Sequence, residues 1–268
     1  MRWWKIALGV GFAAALALGP TVAATAATNT VRVSQSSLRD GYPSNPSSSD
    51  NLWYREDTRV GGGVTLVKPG DTGNPIPAVP AASGLEPGSL ALTTNSSASA
   101  KAQLFTYGNG VRGTPLASVT SLSYWTYEHA GLANTADPAY QLRVDTDGDL
   151  STTADQTTLV YEPYWNDTEG PDPQGAIVAD TWQQWDATNG QWWSSKAINC
   201  VGLTLPPGMG GGPGTWTTPQ AVAVGCPGAL VAAVGVNIGS GNPDYVVATD
   251  GVHFETLTSS TTWDFGPK

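Results

Sequence analysis

The sequence predicts an all-β protein, a sandwich or barrel of short antiparallel strands. Three observations carry that expectation. No segment sustains the 3.6-residue apolar period of an amphipathic helix. Short runs alternate apolar and polar residues and are punctuated by Gly, Pro, Asn and Asp. Charge is sparse at 13 %, while 32 glycines and 20 prolines point to many turns and long loops. No fixed-period repeat is visible, which argues against a propeller or solenoid.

Taken in order, "NTVRVSQSSL" is a first strand and "RDGYPSNPSSSDN" a turn-rich loop. "LWYREDTRVGGGVTLV" holds two short strands, the second at Val64 to Val67. The prolines of "DTGNPIPAVPAASGLEPG" make a loop. Ser89 to Thr94 and Ala100 to Tyr107 follow as strands. In the latter, Ala102 and Leu104 share one face, and Lys101, Gln103, Phe105 and Tyr107 the other. "AYQLRVDTD" alternates cleanly, with Tyr140, Leu142 and Val144 on one side and Gln141, Arg143 and Asp145 on the other. Thr157 to Tyr164 and Ala176 to Trp185 come next, then "QWWSS". "PGALVAAVGVNIG" is the best helix candidate, at its head, although "VGVNIG" suits a strand. "DYVVATDGVHF" and "STTWDF" close the chain. About ten to fourteen strands of this kind make one sandwich domain.

The first 26 residues read as a signal peptide: Arg2 and Lys5, an apolar run from Ile6 to Leu18, then Ala24-Thr25-Ala26. The expected product is a single domain spanning 27–268, secreted, soluble and monomeric, with no membrane insertion after cleavage. The full chain has 12 Lys and Arg against 22 Asp and Glu, a net charge of −10. Such a surface repels phosphate backbones, so nucleic-acid binding is excluded. Two cysteines in an exported chain, Cys200 and Cys226, are expected to form a disulfide. Closing that loop would contribute about 3–4 kcal/mol in the chain-entropy picture.

Three stretches carry candidate chemistry. "VDTDGDLSTTADQ" places Asp145, Asp147 and Asp149 at alternate positions, a spacing that can converge on a hard cation such as Ca²⁺. Gly148 and Gln156 stand where an EF-hand pattern does not want them, so an EF-hand is rejected. A different calcium site, completed by Asp155 or backbone carbonyls, remains, and so does a plain hairpin whose turn is Asp147-Gly148. Glu162 ends the next strand among Tyr161, Tyr164 and Trp165. A carboxylate among aromatics on a concave sheet is what a glycosidase uses, with Glu255, Asp186 or Glu128 as the opposing carboxylate. An exposed strand-end Glu before Pro163 is the plainer alternative. Six of the chain's 11 tryptophans lie between Trp165 and Trp216. Alternation puts Trp182 and Trp185, and likewise Trp192 and Trp193, on opposite strand faces, so one of each pair belongs to the core. Trp192, Trp193, Tyr164 and Trp165 are the candidates for a sugar-binding face. No H-E-x-x-H, G-x-S-x-G or P-loop is present.

The phrases "GSLALTTNSSASAKAQLFTY", "LRVDTDGDL…TTLVYEPYW", "TWQQWDATNGQWWSS" and "GVNIGSGNPDYVVATDGVHF…TTWDF" together resemble a group of exported bacterial jelly-roll proteins, functionally uncharacterised as a group. Their sandwich is concanavalin-like or galactose-binding-like, and the resemblance spans Val31 to Phe265. It implies an antiparallel β-sandwich of jelly-roll type whose last strands return beside the first. Its wider class includes carbohydrate-binding modules, lectins and some glycoside hydrolases, so a sugar-related role is implied by analogy of fold. The expectation is a non-catalytic recognition domain for an extracellular polysaccharide or cell-surface component. A jelly-roll glycoside hydrolase using Glu162 and a structural protein without ligand are the alternatives.

Overall fold

A computed structural model of the chain describes residues 28–47, 49–129, 136–166, 172–208 and 214–267. The expected signal peptide lies outside them. The first half carries β1 (Thr28–Val33), β2 (Leu38–Asp40), β3 (Trp53–Arg55), β4 (Gly62–Val67), β5 (Ser89–Thr94), β6 (Ala102–Thr106), β7 (Thr114–Pro115) and β8 (Val119–Glu128). The middle carries β9 (Ala139–Asp145), β10 (Gln156–Tyr161), β11 (Gln183–Asp186), β12 (Trp192–Ser194), β13 (Ile198–Cys200), β14 (Leu203–Leu205) and β15 (Trp216–Thr217). A short helix α1 (Pro219–Gly225) precedes β16 (Leu230–Ile238), β17 (Val246–Thr256) and β18 (Ser260–Phe265).

Two sheets stack as a jelly-roll sandwich. In the first, of seven strands, β17 pairs along one edge with β8, which carries β11. Its other edge is shared end to end by β5 with β4, and by β18 with β1. The second, of nine strands, runs β15-β12-β10-β9-β16-β6-β3-β2, with β7 against β16. Pairing is antiparallel except at β1–β18 and β2–β3, which are parallel. The β1–β18 pair sets Val31 opposite Trp263, so the chain's last strand does lie beside its first.

The core forms where the inward faces meet. Trp53 of the second sheet packs edge-on against Trp263 and Phe265 of the first, at 5.5 and 5.0 Å between ring centres. Tyr124 meets Tyr140 at 5.4 Å and donates its hydroxyl to the Pro138 carbonyl. Alternation decides these positions: Tyr140, Leu142 and Val144 are fully buried, while Gln141, Arg143 and Asp145 take the other side.

Two expectations change. "LVAAVGVNI" is strand throughout, because eight consecutive buried residues from Val231 to Ile238 sit in the middle of the second sheet, paired on one edge with β9 and on the other with β6 and β7. The α-helix lies just before it, capped by the Thr218 hydroxyl, which accepts from Ala221 N, and opened by Pro219. The strand expected over Ala176 to Trp185 shrinks to Gln183–Asp186. The Cys200–Cys226 disulfide is present and ties β13 to the end of α1.

Candidate functional site

The outer face of the second sheet is the open one. Strand register lines up one row of outward residues across it: Trp216, Trp193, Val160, Gln141, Gly235, Phe105, Tyr54 and Arg39. At about 4.8 Å per strand, the stretch from Trp216 to Tyr54 is on the order of 30 Å long. A groove meets the row at Trp193, Val160 and Gln141, made of two adjoining cavities of 690 and 660 Å³ that share Tyr42, Arg143, Thr158, Ser195 and Lys196.

The groove is bordered by the Trp193 indole, and an aromatic cluster adjoins it. Trp193 and Trp216 are neighbours in register, and both are half-buried. Trp165 packs against Trp216 at 5.6 Å and against Tyr164 at 4.8 Å. Tyr164 is 50 % exposed. Half-wet indoles are amphipathic surfaces suited to a ligand with both apolar faces and hydroxyls. Glu162 stands among them and accepts a hydrogen bond from Trp193 Nε1 at 2.9 Å. Burial raises its pKa, and the indoles of Trp193 and Trp165 offset this in part by stabilising the carboxylate.

The floor is polar. Gln141 and Asn237 line it at 4 and 7 % exposure, and among the described residues neither Gln141 Oε1 nor Asn237 Oδ1 has a hydrogen-bond partner. Buried amide oxygens normally have one, so these two unpaired acceptors mark the floor as polar. Beside them Gly235 leaves room for the Phe105 ring, which a Cβ there would meet at 2.4 Å. The Arg143 guanidinium lies over that ring at 4.1 Å. Arg143 Nη1 donates to Glu56 Oε2 at 2.9 Å and to the Tyr107 hydroxyl at 2.6 Å, and Tyr107 donates to Glu56 Oε1 at 2.6 Å. Glu56 is fully buried. Burial raises its pKa, and Arg143 and Tyr107 pull it back only in part. The cluster locks the Arg143 side chain against the sheet.

Of the four aromatic candidates, three gather in the aromatic cluster and one does not. Trp192 points inward, fully buried, and donates its indole N–H to the Ala187 carbonyl. Alternation along β12 gives the outer face to Trp193 alone, so Trp192 is a core residue and offers no ring to a ligand. Trp182 and Trp185 also take opposite faces, yet both are covered, Trp185 by the core and Trp182 by the loop over the first sheet. Trp216, Gln141, Asn237, Arg143 and Phe105 had no individual signal, because their row exists only once distant strands pair.

Glu162 meets none of the three proposed carboxylate partners in the groove. Glu128, Asp186 and Glu255 sit on β8, β11 and β17, all in the first sheet. The other carboxylate on the wall shared with Glu162 is Asp57, which pairs with Lys101 at 2.8 Å and Arg59 at 3.1 Å. Burial opposes ionisation of Asp57, but those two cations outweigh it and leave its pKa lowered.

The acidic hairpin has the expected register, Tyr140 opposite Tyr161 and Val144 opposite Thr157. The connection runs from 146 to 155, longer than the two-residue Asp147-Gly148 turn expected, and Gly148 takes a positive φ of 83° within it. Asp145, Asp147 and Asp155 bring ligand atoms within 4.8 Å of one another. Asp149 is outside that group and accepts from the backbone and hydroxyl of Ser151 instead. Asp155 thus replaces Asp149 in the set the spacing suggested. These carboxylates also cap the turn: Asp145 accepts from Gly148 N, and Asp155 from Asp147 N.

No family model matches the chain, and no curated protein does. Among solved structures, the chain is similar to a family 11 carbohydrate-binding module from Clostridium thermocellum in complex with a β-1,3-1,4-mixed-linked tetrasaccharide. That likeness covers 77 % of this chain and 88 % of the module, at 8 % identity and a TM-score of 0.34. No helix among the described residues is long and apolar enough to cross a membrane.

Proposed function

We propose that the open outer face of the second sheet binds an extracellular polysaccharide without cleaving it. One observation carries this: a groove on the sheet's outer face, bordered by the Trp193 indole, has Gln141 and Asn237 in its floor, whose side-chain oxygens lack partners among the described residues. Indole faces cover the apolar faces of sugar rings, and the amides accept from hydroxyls. Ring stacking positions the chain, and the amides select its orientation. Glu162 supports the Trp193 indole rather than acting on a glycosidic bond, because the carboxylate sharing its wall, Asp57, is neutralised by two cations. The acidic hairpin, at Asp145, Asp147 and Asp155, holds a structural Ca²⁺ in the same proposal.

A polysaccharide panel probed with the mature chain and with Trp193→Ala tests the reading. Retention by at least one polymer, lost in the variant with no release of reducing ends, is the expected result. Release of reducing ends that stops in Glu162→Gln would replace recognition by hydrolysis. Failure to bind any polymer would leave the structural reading.

A further inference from the structure

The second cavity of the groove has a charge composition opposite to that of the chain. Its walls include Arg112, Arg143 and Lys196, and no Asp or Glu. The whole protein has 22 acidic and 12 basic residues, and five of those 12, the three above with Arg59 and Lys101, line the two joined cavities. An acidic protein that gathers its cations in one groove creates there a local field of reversed sign.

The cations of the two cavities differ in what they already hold. Arg59 and Lys101 share Asp57, and Arg143 is committed to Glu56. Arg112 donates to the Leu150 carbonyl at 2.8 Å and Lys196 to the Thr153 carbonyl at 3.5 Å. Among the described residues neither forms an ion pair. Two charges thus face the cavity held by neutral carbonyls, with donors to spare. Hydroxyls of Ser151, Thr153, Thr158 and Ser195 stand beside them. The hairpin supplies Leu150, Ser151 and Thr153 to this wall, while Asp145, Asp147 and Asp155 cluster among themselves.

We infer that the polysaccharide is anionic and that this cavity receives the charged substituent of one of its sugars, a carboxylate or a sulfate, between Arg112 and Lys196. This rests on the glycan-binding reading and names the class of ligand. Planar guanidinium suits two-point contact with such a group, and the lysine adds a point charge. The aromatic cluster takes the neutral faces of neighbouring rings.

Affinity electrophoresis through gels carrying defined polymers tests it. The gels hold a polyuronate, its carboxyl-reduced neutral form, and a sulfated glycosaminoglycan. The wild type is retarded by a charged polymer at least tenfold more strongly than by the reduced one, and which charged polymer it prefers separates carboxylate from sulfate. Arg112→Gln with Lys196→Gln lowers that retardation at least tenfold, and Arg112→Lys with Lys196→Arg restores most of it. Unchanged melting curves of the variants confirm intact folds. Equal retardation by charged and reduced polymers, lost in Trp193→Ala, would overturn the anionic class and leave glycan binding standing. No retardation by any polymer would overturn both.

Discussion

The two sheets bury their inner faces alike and treat their outer faces oppositely. On the first sheet, the proline-rich loop 71–88 folds down and Ile76, Val79 and Leu85 pack on Ala91, Tyr127, Trp182 and Ala248. Trp182 donates its indole N–H to the Pro77 carbonyl, which pins the loop. On the second sheet the groove is lined instead by Gln141, Asn237, Arg143 and the half-buried Trp193 indole. Both faces carry tryptophan. The difference is whether the chain supplies its own apolar cover, so a face rich in aromatics is not by itself a binding face.

The largest effect expected is at Trp192 and Trp193, adjacent residues on opposite sides of β12. Trp192→Ala leaves a cavity in the core and costs about 3–5 kcal/mol, read as a lowered denaturant midpoint. Trp193→Ala costs about 1 kcal/mol or less of stability but at least tenfold in polysaccharide affinity. Equal destabilisation by both would erase the distinction between inner and outer face.

Ile76→Ala probes the covered face. It costs about 2–4 kcal/mol by opening the packing under the loop, exposes apolar surface that a fluorescent hydrophobic dye reports, and leaves glycan affinity unchanged. A loss of affinity without loss of stability would mean that the loop face takes part in binding. Reducing the Cys200–Cys226 disulfide, or Cys200→Ser with Cys226→Ser, costs about 3 kcal/mol.

A smaller effect is pH dependence from the β8 side of the core. Burial pushes the carboxyls of Glu128 and Asp137 up to about 7, Glu128 helped by the neighbouring Asp137 charge. Among the described residues neither Glu128 Oε2 nor Asp137 Oδ1 has a hydrogen-bond partner. A raised carboxyl pKa means that the folded chain holds protons the unfolded chain has released. Stability therefore falls as pH rises from the ordinary carboxylate range toward 7. Asp137→Asn flattens that slope in melts taken between pH 4 and 7, and an unchanged slope would assign it elsewhere. Calcium is the smallest effect. At tenfold its dissociation constant it raises the midpoint by about 3–5 °C, and a chelator reverses this. An unmoved midpoint removes the ion from the account.

Period-two alternation made the strands and the β9–β10 register legible, since Tyr140 to Asp145 could bury only one set of side chains. It also paired Trp192 with Trp193 on opposite faces. It could not say which of the two faced inward, because that depends on the sheet packed against β12. The helix head was misplaced by one segment, where alanine-rich composition competed with the pairing of β16 along both of its edges. Asp155 was separable from Asp149 only once the turn at Gly148 was formed. The groove itself was least legible: Gln141, Asn237 and Phe105 come from strands separated by long stretches of chain, and no local pattern marks residues that meet through sheet register.

Oxidative footprinting of the protein with and without its polysaccharide compares the two outer faces in one experiment. Protection of Trp193, Trp216 and Tyr42, with Trp182 and Val79 unchanged, is the predicted result. Protection confined to the loop-covered sheet, or no protection at the indoles of the open one, would contradict the account.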